Sequence, residues 1–180
     1  MRVITGTARG RRLKEPKGFD VRPTTDMVKE SMFNIIQSDI EGRRVLDLFA
    51  GTGQLGIEAL SRGAAEVVFV DERASSVKLI RENLAQCGFS ARVEQAEALS
   101  YLERGGSFDL IFLDPPYDSG LIDAALQKIQ NIDILNKGGI IVCESRREKV
   151  VKSLLEPYCL LSERNYGKIK ITVYGKRANA

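Results

Sequence analysis

Three aspartates close three short apolar runs: Asp47 ends "RRVLD", Asp71 ends "EVVFVD" and Asp114 ends "FDLIFLD". Pro115, Pro116 and Tyr117 follow the third of them directly. Pro116 disfavours helical geometry at Pro115, so the backbone leaves that run in an extended turn which bares the carbonyls of Asp114 and Pro115. With the Asp114 carboxylate they form a set of hydrogen-bond acceptors, and Tyr117 supplies a flat ring beside them. The partner they suit is a planar group with two N–H donors, the exocyclic amine of a nucleobase. Such an amine is a poor nucleophile because its lone pair is delocalised into the ring. Acceptors that hold both N–H groups favour a more tetrahedral nitrogen, and positioning with electrostatics can then supply most of the acceleration. Asp114 or solvent would take the surplus proton. Stacking on Tyr117 would contribute about 1–3 kcal/mol, and the base must leave its stack to reach the pocket.

The first aspartate introduces a glycine loop, "VLDLFAGTGQLGIEAL". Gly51, Gly53 and Gly56 satisfy G-x-G-x-x-G, and Asp71 lies twenty residues after Gly51, the spacing of a ribose-binding acid. A tight turn that only packs helix on strand would also select glycine. A pyrophosphate is poorly served here, since Asp47 stands just ahead of the loop; a cationic amino-acid group is well served. S-adenosylmethionine carries a sulfonium and an ammonium next to an adenosine. Asp47 can face its charged methionine part, with Phe49 and Ala50 in the loop, while Asp71 takes the ribose. In "QAEALSYL", Glu97 and Ala98 fall where the adenine edge is expected, although Glu97 is equally suited to the first turn of a helix.

These residues need elements to hold them at strand ends. Apolar, β-branched runs occur at 43–49, 66–71, 91–95, 108–114 and 139–145, separated by helical patterns near Leu55–Arg62, Ala74–Cys87, Ala98–Arg104, Leu121–Gln130 and Glu148–Leu155. Strand alternating with helix, with the strands apolar throughout, predicts a parallel sheet covered on both faces. Ahead of it, "RPTTDMVKESMFNIIQSD" reads as a helix capped by Thr24 or Thr25, with Val28, Met32, Ile35 and Ile36 on one face. The tail "YCLLSERNYGKIKITVYG" reads as two strands joined around Asn165 to Gly167, a terminal antiparallel hairpin.

At 180 residues and 43% hydrophobic content the chain suits a single domain. No apolar run reaches the roughly 18 residues of a membrane helix, and the charged start does not resemble a signal peptide, which suits a cytoplasmic protein without membrane association. The absence of histidine removes Ser-His-Asp and Cys-His catalysis, and Cys87, Cys143 and Cys159 lack C-x-x-C spacing, so no metal is expected. Residues 1–22 carry seven basic groups against Glu15 and Asp20, a balance of +5 in a chain whose total is +3. That local charge suggests a polyanion contact through Arg9, Arg11, Arg12 and Lys14. Residues 1–23 are therefore read as a basic extension and 24–180 as the body.

Taken together, the two motifs resemble class I S-adenosylmethionine-dependent methyltransferases of the amino-methylating kind. More narrowly, "TGTARGRRL", "RPTTDMVKESMFNII", "DLFAGTGQLGIEALSRGA", "LDPPYD" and "YGKIKITVYG" resemble the bacterial RsmD family, which methylates the N2 amine of a guanine in small-subunit (16S) ribosomal RNA. The resemblance spans essentially the whole chain. It implies a Rossmann-like α/β fold with a mostly parallel seven-stranded sheet and helices on both faces. It also implies cofactor contacts from Asp47, Phe49, Gly51, Gly53, Asp71 and Glu97, with Arg22 and Thr24 near the methionine end, and catalysis by Asp114 to Tyr117. Glu97 stands where the family pattern carries aspartate. A substrate RNA already packaged in the small (30S) subunit is implied as well. Against this stand an adenine-N6 DNA methyltransferase, disfavoured by the lack of an insertion for target recognition, and an NAD-dependent oxidoreductase, supported by the glycine loop alone. A cofactor-free RNA-binding module would leave three strand-end carboxylates to repel phosphate.

Overall fold

The computed structural model describes residues 1–16, 26–117, 119–150 and 152–177. Seven strands form one sheet: β1 (Arg44–Asp47), β2 (Glu66–Asp71), β3 (Arg92–Gln95), β4 (Phe108–Leu113), β5 (Leu135–Arg146), β6 (Tyr158–Tyr166) and β7 (Ile169–Lys176). Their spatial order is β3-β2-β1-β4-β5-β7-β6. The first five pair in parallel, and β7 and β6 add antiparallel. The helices are α1 (Asp26–Ile35), α2 (Gln54–Ser61), α3 (Ala74–Cys87), α4 (Ala98–Leu102) and α5 (Leu121–Ile132).

Alternation along the central strands divides two cores. Val45, Val67, Phe69 and Phe112 face the α1, α2 and α3 side, where they meet Met32, Phe33, Ile57 and Ile80. Leu46, Val68, Ile111 and Leu113 face α4 and α5, against Leu102, Leu126 and Ile129. Both faces are buried, which is why these strands read as continuous apolar runs. The chain runs outward from β1 to β3 and then returns to place β4 on the other side of β1. Strand order therefore reverses between β1 and β4, and the space beyond their carboxyl ends is where open α/β sheets bind ligands.

Three elements differ from the reading of the sequence. No helix forms among the described residues of 148–155. Val150 and Leu155 are exposed, so a helix there would gain little burial. Instead, side chains of α5 bind the segment: Asp123 accepts from Lys149 Nζ and Lys152 N, and Gln130 from Leu155 N. The strand expected from residue 139 begins at Leu135, with a register shift where β4 and β5 first pair. Helix α1 closes at Ile35, and Gln37–Asp39 form a short 3-10 turn. The expected Thr24 or Thr25 cap lies outside the described residues.

Residues 1–16 are docked on the body. The arm folds back on itself, with Arg2 bridging Arg12, and buries Val3, Ala8 and Leu13 in the first core. Glu58 of α2, itself fully buried, accepts from Ile4 N at 2.7 Å and Thr5 N at 3.0 Å, and also pairs with Arg62 and Lys29. Burial pushes the Lys29 ammonium below the usual lysine range against the pull of Glu58. Its Nζ is held by the Arg2 carbonyl, which fixes the arm against α1.

Candidate active site

The glycine loop is fastened from three sides. Ala50 N donates to Val70 O at 2.9 Å, Gly51 N to the Asp71 carboxylate at 2.9 Å, and Gly53 N to Ala50 O at 2.6 Å. Gly51 and Gly53 sit at φ +56° and +79°, a region side chains disfavour. Gly56 has a different reason: a Cβ there would lie 2.3 Å from the Phe69 ring, so its absence lets α2 lie directly on β2. From the α3 side Asn83 holds the loop as well: it is fully buried, and its amide donates to Thr52 O at 2.9 Å. The same side chain accepts from Lys14 N at 2.7 Å and donates to Lys14 O, so one residue binds the loop and the arm together.

Asp47 is 2% exposed and accepts from Gly56 N at 2.9 Å. Burial, augmented by the nearby negative charge of Asp71, pushes its carboxyl up to about 7 against the pull of that hydrogen bond. The attraction of a cationic ligand would oppose both effects. Asp71, 8% exposed, uses its second oxygen to accept from Arg73 N. Ala96 N donates to the Asp71 carbonyl, which sets Glu97 and Ala98 beside the end of β2. Glu97 itself caps α4, accepting from Leu99 N at 2.9 Å and Ser100 N at 2.7 Å. Those bonds outweigh the upward effect of its slight burial and hold its carboxyl below the usual range. Phe49 is half-buried against the second core and Ala50 is buried.

Asp114 to Tyr117 leave the end of β4 into that space. Asp47 pairs with Phe112, so the two motifs issue from neighbouring strands. Asp114 is partly exposed, Pro115 buried, Pro116 and Tyr117 exposed. The Tyr117 hydroxyl donates to Glu144 of β5 at 2.9 Å, and the Arg146 guanidinium lies over its ring, 5.4 Å from the centroid. Neither β5 residue was singled out from the sequence. The only signal was a polar "ES" closing "GGIIVC", which an ordinary strand end would also show. Asn83 was missed as well, since nothing in α3 marks it out. Arg9, Arg11 and Arg12 are exposed on the arm, and Lys14 pairs with Glu82 of α3 at 2.9 Å. Arg22 and Thr24 lie outside the described residues.

The family model described as conserved hypothetical protein 95 matches residues 1–175. The chain belongs to this family, the RsmD methyltransferases. It is 34% identical over 180 residues to the ribosomal RNA small subunit methyltransferase D of Escherichia coli, covering 99% of this chain and 91% of that one. It is 40% identical to YlbH of Bacillus subtilis, a candidate rRNA methyltransferase, over 98% of this chain and all of the relative. The solved structure of yhhF from Escherichia coli, a candidate methyltransferase, superposes with a TM-score of 0.89 at 33% identity over 99% of both chains. The RsmD fold seen here is thus the class I methyltransferase fold, with the glycine loop and the D-P-P-Y turn at its switch point.

Proposed function

We propose that the protein transfers a methyl group from S-adenosylmethionine to the N2 amine of a guanine in small-subunit ribosomal RNA, with the assembled 30S subunit as the preferred substrate. The observation that carries the reading is the convergence at one switch point: the fastened glycine loop with Asp47 and Asp71 on one strand end, and Asp114 to Tyr117 on the next. The choice of small-subunit RNA follows the activity named for the Escherichia coli relative, and the guanine N2 position follows the family resemblance.

The residues present fit the cofactor. Asp47 and Asp71 offer negative charge to its methionine end and acceptors to its ribose, and a buried carboxylate whose proton affinity is raised gains most from a cation. Gly51, Gly53, Phe49 and Ala50 line the approach, Ala98 borders the adenine side, and Glu97 contributes there chiefly by capping α4. Arg22 and Thr24 are assigned to the methionine end through the resemblance alone. When bound, S-adenosylmethionine supplies a methyl group on a sulfonium that needs no further activation.

Everything else falls to the chain. Asp114 and the Pro115 carbonyl accept the two N–H groups of the amine and aim its lone pair, while Tyr117 stacks on the base. The proton shed by the amine leaves to Asp114 or to water. Arg9, Arg11, Arg12 and Lys14 hold phosphates of the RNA.

The test offers the purified protein and S-adenosylmethionine naked small-subunit RNA, 30S subunits and DNA, all unmodified, followed by digestion and mass spectrometry of the nucleosides. N2-methylguanosine, formed faster from 30S subunits than from naked RNA, is expected. N6-methyladenine from DNA would overturn the substrate, and no methylation of any of the three would overturn the activity.

A further inference from the structure

The D-P-P-Y turn does not hold its aromatic ring unaided. Tyr117 is 36% exposed, and a tyrosine in such a place has two side-chain torsions to restrain. Two residues of β5 restrain them from different directions. Glu144, 3% exposed at the end of the strand beside β4, takes the phenol hydrogen at 2.9 Å. Arg146, two residues on and exposed, lays its guanidinium over the ring. Parallel pairing of Leu113 with Cys143 brings this end of β5 level with the turn.

We propose that Glu144 and Arg146 are positioning residues for base capture: they hold the Tyr117 ring as a preset platform, with Arg146 on one face and the extruded base received on the other. This rests on the function proposed above. A phenol that donates to a carboxylate has a more electron-rich ring, which strengthens the guanidinium contact that holds it. Ordering the ring before RNA arrives removes that entropic cost from the binding step. Arginine suits this place better than lysine because its planar, weakly hydrated cation packs flat on a ring.

Steady-state kinetics on 30S subunits test it, with cofactor affinity measured by calorimetry for each variant. Arg146→Ala should raise KM for the RNA substrate about three- to tenfold with kcat and cofactor affinity held, and Arg146→Lys should recover little of it. Restoration by lysine would mean a simple phosphate contact and would overturn the platform, as would an unchanged KM. Glu144→Ala should lose activity that Glu144→Gln, which still accepts from the phenol, recovers. Its loss should shrink to little when Tyr117 is already phenylalanine, since the hydroxyl it acts through is gone; additive losses would overturn the assignment. If the wild-type protein methylates no RNA, the function reading fails and this one with it. If it does and these variants match it, this one alone fails.

Discussion

Asp47 is a carboxylate with almost no water around it. Its folded pKa, up at about 7, exceeds the ordinary carboxyl value of 3.8, so between those values the native state binds more protons than the unfolded chain. Stability contributed by this group is therefore present at low pH and lost as pH rises through about 7. Asp47→Asn removes the buried charge, and the amide oxygen can still accept from Gly56 N. The cofactor-free variant should gain melting temperature relative to the wild type at pH 8 and gain little at pH 5, while binding S-adenosylmethionine more weakly. Parallel melting curves at both pH values would remove the argument. Asp114 poses the opposite case, a residue proposed to serve the amine and not the cofactor. Asp114→Ala should abolish transfer while cofactor affinity by calorimetry stays within about twofold, the change expected when an interaction with the reacting group alone is removed. Asp47, Asp71 and Asp114 were legible in the sequence because each interrupts an apolar run at a strand end. Glu144 and Asn83 were not, since their roles exist only through contacts made across the fold, 27 and 69 residues apart.

Helix and strand positions were legible wherever burial dictated the pattern, and α3 at Ala74–Cys87 coincides with its reading. In the misread stretch, 148–155, Val150 and Leu155 are exposed and, among the described residues, only Leu154 packs on the second core, so a helical periodicity there had little packing behind it. Docking of the arm was hidden for another reason: arginines and glycines read as exposed chain, whereas Gly6 marks an approach too close for any side chain. A Cβ at Gly6 would lie 1.7 Å from the Ser61 carbonyl oxygen, at φ +86°. Thr7 N donates to that same carbonyl at 2.8 Å, and the Ser61 hydroxyl to Thr5 O at 2.6 Å, so the end of α2 grips the arm there. Gly6→Ala should destabilise the protein by about 2–3 kcal/mol, a fall in melting temperature of about 4–12 °C. Gly10→Ala makes the control, since its φ of +81° meets no atom within 4 Å and should cost only about 1 kcal/mol. Equal losses at both sites would mean the backbone angle, not the contact with α2, decides.

Across the whole molecule, charge is divided between two regions. Carboxylates occupy the strand ends, and exposed arginines occupy the docked arm. Replacing Arg9, Arg11 and Arg12 together with alanine should weaken RNA binding and reduce the slope of log affinity against log salt by about 2–3, at roughly 0.7–0.9 per phosphate contact, without changing cofactor affinity. An unaltered slope would make the arm a structural strap and nothing more. Asn83 joins these regions with a single amide, bonded to Lys14 of the arm and Thr52 of the glycine loop. Displacing the Asn83 side chain would break the hydrogen bonds of both. In amide hydrogen exchange, Lys14 N–H and Gly51 N–H should then report one shared opening event, with matching protection that rises together on addition of S-adenosylmethionine. A ligand seated at the loop would in that way slow the breathing of the arm, although the two share no element of the fold.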